Sequence, residues 1–134
     1  MADTSSKAMF ETGMRVRNLC FILFAIGLFM LKRHYSGPLY TLIQSYAGNI
    51  CVSFALYFNF LNLYVPHRLN RLLAASLALV CVESFELFNG FGLMANIYDH
   101  FDLLANAIGV GCAYGLDKIL SHERSRGSTP NLMS

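Results

Sequence analysis

Charge is what this sequence has least of. Asp, Glu, Lys and Arg make up 13% of its 134 residues, whereas 55% are apolar and the mean hydropathy is +0.46. That balance excludes an ordinary soluble domain, in which about a quarter of residues are charged, and points first to a lipid-embedded chain. A net charge of +2 with no dense Lys/Arg run leaves little for a nucleic acid to bind. The four cysteines have no CxxC spacing and no His at ligand distance, so a zinc or iron–sulfur centre is not expected. Cys20, Cys51, Cys81 and Cys112 each fall in a different apolar run, where they read as small buried apolar residues. No cofactor is expected. After the first apolar run stands KRHYSGP rather than a small-residue cleavage site, so that run reads as a retained span and not a signal peptide.

What is present is hydrophobic sequence in four blocks. A polar segment, 1–16, precedes apolar stretches at about 17–32, 42–65, 72–91 and 101–120, and a small-residue polar tail, 121–134, reads as disordered. A hydrocarbon core about 30 Å thick takes roughly 20 residues of helix, so four spans use up the chain and leave no separate catalytic domain. Lipid offers no partner to an unpaired backbone group, and the two-residue alternation of a barrel is absent, so the expected fold is an all-α, polytopic four-helix membrane bundle. Lys7, Arg15, Arg17, Arg68, Arg71, Lys118, Arg124 and Arg126 fall on one side of such a bundle, against Lys32 and Arg33 on the other. This asymmetry places both termini in the cytoplasm, in the plasma or inner membrane. His67, Arg68 and Arg71 then read as a basic cytoplasmic loop in contact with headgroups. Tyr35, Tyr40, Tyr46, Tyr64 and Tyr98 fall near span ends, as an interfacial aromatic belt requires. A faint repeat at an offset of 61 residues aligns Cys20 with Cys81, Phe24 with Phe85, Leu42 with Leu103, Gly48 with Gly109 and Cys51 with Cys112.

Against this background the stretch ESFELFNGFGLMANIYDHFDLLAN, 83–106, is anomalous, because it holds four of the chain's eight acidic residues. An ionisable residue inside a span is costly and marks a functional site by default. Glu83 and Glu86 share one face of the third span; Asp99, Asp102, Asn106 and Gly109 follow at helical spacing along the fourth. With about 1.5 Å of rise per residue, Glu86 and Asn106 lie roughly 7 Å below the outer surface and Glu83 roughly 12 Å. Gly109, beside Gly111, lets the two backbones approach closely. The result is an acidic pocket open to the outside, formed by Glu83, Glu86, Asp102 and Asn106 with Asp99 at its rim.

Plainer readings exist for each residue. Asp99 or Asp102 can cap the fourth helix, Asn106 can be interhelical glue, and Glu86 can reach water. The four carboxylates could ligate a hard cation, although their spacing matches no known metal loop. Ser84 and His100 stand among them, but no Ser, His and Asp arrangement is evident. Asn59 and Asn62 read as interhelical hydrogen bonds.

The segment YDHFDLLANAIGVGCAYG, 98–115, with Asp102, Asn106 and Gly109, resembles the last-helix signature of the VanZ-like membrane proteins, and Glu83 matches a Glu usual in their preceding span. The chain departs from that family in carrying Glu86 where Gln is common and in having no Arg in the outward loop. The resemblance implies envelope biology, since the family is named for low-level glycopeptide (teicoplanin) resistance, and implies no particular reaction. Sequence alone therefore leads to binding or modulation of a lipid-linked or amphiphilic ligand. The alternatives are an accessory subunit whose acids pair with the cations of a larger membrane complex, and, third, an enzyme acting on a lipid headgroup.

Overall fold

The structure is a computed structural model that describes residues 2–63, 70–88 and 99–126. Among them are four helices and no strand: α1 Ala2–Leu31, α2 Tyr40–Leu63, α3 Arg71–Leu87 and α4 His100–Arg126, with one turn of 3-10 helix over Lys32–His34. The loops at 64–69 and 89–98, and the tail from 127 onward, lie outside the described residues, as do Tyr64, His67, Arg68 and Tyr98.

Helix formers with no proline explain why α1 begins about fifteen residues before the apolar block that starts near position 17: Lys7, Ala8, Met9, Glu11 and Met14 all favour helix. Its 30 residues make a rod about 45 Å long. The turn into α2 is tight. Tyr35 folds over Gly37, where a Cβ would lie 2.5 Å from the tyrosine hydroxyl, and that hydroxyl donates to Pro38 O at 2.9 Å. Leu39 then takes a left-handed φ of 63°. At the start of α3, Asn70 Oδ1 accepts from Leu72 N at 3.1 Å, a side-chain N-cap. α4 continues through 121–126, which the sequence reading assigned to a disordered tail. One reason is visible: the Arg124 guanidinium lies 5.6 Å from the centre of the Phe10 ring, so the last turns of α4 rest on the polar half of α1.

Helix α2 is the axle of the bundle. It packs on each of the other three, α3 and α4 pack on one another, and α1 leans chiefly on α2. Tyr57, Phe58 and Leu61 of α2 meet Ala74 and Ala78 of α3 and Val110 and Ala113 of α4. The alanines, all fully buried, let the backbones come close. From α1, Phe21 stacks on Phe58 with ring centres 4.8 Å apart.

Polarity runs inside out. Asn18, Ser53, Asp102, Asn106 and Asp117 are all buried, whereas Leu23, Phe24, Met30, Val80, Leu87 and Phe101 are exposed. Two helices, α1 and α4, are long and apolar enough to cross a membrane, and only 11% of the apolar window of α1 is buried. The cysteines depart from expectation. All four are free, and Cys20, Cys81 and Cys112 are exposed rather than buried, Cys81 on the lining of a cavity.

At the end of the bundle that holds the α2 C-terminus, a polar network absent from the sequence reading joins all four helices. Asp117, 2% exposed, accepts from Arg17 at 2.6 Å, from Arg71 at 2.8 Å and from the Tyr57 hydroxyl at 3.2 Å. Arg17 also donates to Asn18 Oδ1, and Asn18 donates to Asn62 Oδ1 at 3.2 Å. Arg71, the first residue of α3 and still half exposed, is therefore paired with Asp117 rather than a free loop charge. Asn62 makes an interhelical bond, while Asn59 is exposed on an apolar groove.

Removing one partner of a buried pair strands the others, so Asp117→Ala is expected to cost about 3–5 kcal/mol. Arg71→Ala, at a side chain 46% exposed, is expected to cost no more than about 1 kcal/mol. Thermal denaturation of the two variants in detergent checks the order; equal effects would mean that Asp117 is not the hub.

Candidate functional site

At the opposite end, the four helices enclose a cavity of about 640 Å³. It exists because α1 packs chiefly on α2, so its outer end and α3 stand on either side of a gap floored by α2 and closed by the start of α4. Four of the five residues read as a site line this cavity: Glu86, Asp99, Asp102 and Asn106.

Each carboxylate has a distinct setting. Asp99 is the N-cap of α4, with Oδ1 accepting from Phe101 N at 3.2 Å, and its Oδ2 accepts from the Tyr46 hydroxyl at 3.1 Å. Of the two aspartates offered for the capping role, Asp99 fills it. Asp102, 7% exposed, accepts from Asn49 Nδ2 at 2.8 Å and so ties α4 to α2. Glu86 lines the cavity from α3 with no hydrogen bond from a described residue to its carboxylate. Glu83 does not line it. That side chain is half-buried on a neighbouring face of α3, with Oε2 buried and unpartnered among the described residues. A helical turn is 3.6 residues, so the i, i+3 pair diverges by about 60°, enough to separate Glu83 from the opening.

Asn106 is the most informative member. It is 2% exposed, it lines the cavity, and its Nδ2 has no hydrogen-bond partner among the described residues. An unpaired buried donor costs about 1–3 kcal/mol, so this atom marks a local cost in the packing of α4 beside the cavity.

Five polar lining residues were missed in the sequence: Lys32, Gln44, Ser45, Tyr46 and Asn49. Lys32, read only as an outward charge, places its ammonium at the cavity, 5.0 Å from the Phe29 ring centre and donating to Gln44 O at 3.1 Å; Gln44 Nε2 returns a bond to Lys32 O at 2.6 Å. No carboxylate of a described residue lies within 4 Å of it. The acids therefore do share a cavity with an internal cation. Tyr46 and Asn49 come from α2, and their signal was legible: Ser45, Asn49 and Ser53 recur every fourth residue as a polar stripe through an apolar block.

Beside the cavity, an apolar groove of about 430 Å³ runs between α1 and α2, lined by Ile22, Ile26, Cys51 and Ala55 among others. Phe29, Val52 and Leu56 belong to both, so the apolar groove lies directly beside the polar cavity.

The groups at the cavity are carboxylates, carboxamides, a phenol and an ammonium, which bind a ligand through hydrogen bonds and charge. Ser84 spends its hydroxyl on Val80 O at 2.6 Å. No group of three His, Cys, Asp or Glu able to hold a metal ion occurs among the described residues.

The glycines separate. A Cβ on Gly109 would collide with Ser53 Oγ and lie 2.5 Å from Ile50 O, so α4 approaches the backbone of α2, not of α3 as the sequence reading had it. Gly111 is exposed, with nothing within 4 Å of a Cβ, and takes no part in packing. Gly109→Ala is expected to lower stability by about 1–3 kcal/mol, and Gly111→Ala to leave it unchanged or slightly raised. Melting curves of the pair test this; a neutral Gly109→Ala would contradict the α2–α4 contact. Set against protein-family models, curated proteins and solved structures, the chain matches none of them.

Proposed function

We propose that this chain is a four-span membrane protein of the cell envelope with both termini in the cytoplasm, and that its outward cavity binds a lipid-linked or amphiphilic ligand. One observation carries the reading: a polar cavity lined by carboxylates and a lysine lies directly beside an apolar groove, with Phe29, Val52 and Leu56 lining both. A ligand that is polar at one end and apolar at the other suits such a site, and a wholly soluble metabolite would leave the groove unused. The exposed apolar surface of the bundle and the two long apolar helices support a bilayer setting. The resemblance of 98–115 to the last helix of VanZ-like proteins supports the envelope. An accessory-subunit role drew on carboxylates lacking any internal cation, and Lys32 in the same cavity removes that argument.

Native mass spectrometry of the protein purified alone in mild detergent tests the reading. The wild type is expected to carry a co-purifying amphiphile, and Glu86→Gln and Asp102→Asn to lose it. A folded wild type with nothing bound would overturn the proposal. Topology is open to a separate check in a variant with all four cysteines changed to Ser: Ser36→Cys is expected to react with a membrane-impermeant maleimide on intact cells, and Lys7→Cys only after permeabilisation. The reverse labelling would invert the orientation.

A further inference from the structure

The charges of the cavity are arranged as a dipole rather than as an acidic patch. The Lys32 ammonium lies against Gly48 of α2, 2.7 Å from where a Cβ would stand. The next residue, Asn49, holds Asp102 at 2.8 Å. Consecutive residues of a helix differ by about 100° in direction and about 1.5 Å in height. Lys32 and Asp102 are therefore nearly level, on different flanks of α2, and Asp99 and Glu86 lie on the Asp102 side. A ligand bearing only positive charge would meet Lys32, and one bearing only negative charge would meet three carboxylates. A headgroup bearing both, a few bonds apart, matches both walls.

The groove narrows the class further. It adjoins the cavity at Phe29 and follows α1 to Ile22, about 10 Å, with an apolar lining suited to an acyl chain.

The geometry points to a bilayer phospholipid with an ethanolamine headgroup as the occupant, its phosphate toward Lys32, its ammonium toward Glu86, Asp99 and Asp102, and one acyl chain in the α1–α2 groove. A primary ammonium brings three N–H donors to the carboxylate oxygens, which a quaternary ammonium does not. This assignment rests on the reading of the cavity as an amphiphile site and adds the identity of the headgroup.

The test is a titration of the full-length protein in detergent with short-chain phosphatidylethanolamine, phosphatidylcholine and phosphatidylglycerol, and with soluble phosphoethanolamine, read by native mass spectrometry. Phosphatidylethanolamine is expected to bind at least tenfold more tightly than the other three. Lys32→Gln and Glu86→Gln are each expected to weaken it about tenfold, with melting temperatures confirming that both variants fold. The sign of the two effects is decisive. If Lys32→Gln strengthens binding, the ligand is a plain cation; if Glu86→Gln strengthens it, a plain anion; either result overturns the zwitterion. Phosphatidylglycerol or phosphatidylcholine binding most tightly would overturn the headgroup while leaving the amphiphile reading in place. Phosphoethanolamine binding as well as the lipid would remove the role of the groove. Binding of none of the four would overturn the headgroup assignment, and the co-purification result then decides separately whether the amphiphile reading stands.

Discussion

Everything in this bundle depends on one buried carboxylate. Asp117 sits at the meeting point of α1, α2, α3 and α4, and its two oxygens accept from Arg17, Tyr57 and Arg71. A charge taken out of water is tolerable only when its lone pairs are fully used, so the network permits a single arrangement of four helices around it. Small residues complete that end: Ala74, Ala78 and Ala113 bring the backbones together next to the hub. With one end clamped, the other end is free to be wide.

That asymmetry produces the site. Beyond Gly109, where α4 presses on α2 at Ile50 and Ser53, the helices are held apart by polar cross-links rather than by alanine contacts. Asn49–Asp102 and Tyr46–Asp99 anchor α4 to α2, and the Lys32–Gln44 exchange anchors the end of α1 to α2. Each link satisfies part of the polar inventory, and the Glu86 carboxylate, which no described residue bonds, is left at the cavity. Packing against α2 thus decides both the shape of the opening and which groups remain available in it. The buried polar groups are gathered toward the two ends of the bundle, one set fully paired and one set not.

Much of this was legible in the residues. Four apolar blocks correspond to four helices, because period and length at high hydropathy leave no other regular structure. The stripe Asp99, Asp102, Asn106 on α4 lines one cavity because helical spacing is a local property. Glu83 was read with Glu86 by the same rule, but an i, i+3 pair spans about 60° of arc, and the edge of a cavity can fall between its members. The partners of these acids were not legible. Lys32 and Gln44 are twelve residues apart, Asn49 and Asp102 fifty-three, Arg17 and Asp117 one hundred. No periodicity connects such pairs, so Arg17 and Arg71 were counted as loop charges, and Asp117 near the end of the last apolar block passed without notice.

The sequence by itself determined that the chain is helical, how many helices it forms, which residues share a face of each, and that polar groups would have to be reconciled with an apolar exterior. These are consequences of composition and of the 3.6-residue period, which act within one segment at a time. Only the tertiary structure decided that α2 is the axle, that Gly109 meets α2 and not α3, that Asp117 joins all four helices, and that a lysine shares a cavity with the acids beside an apolar groove. Those outcomes depend on which helices touch and at what rotation. Close packing and the cost of leaving a buried charge unpaired set that choice for the whole bundle at once.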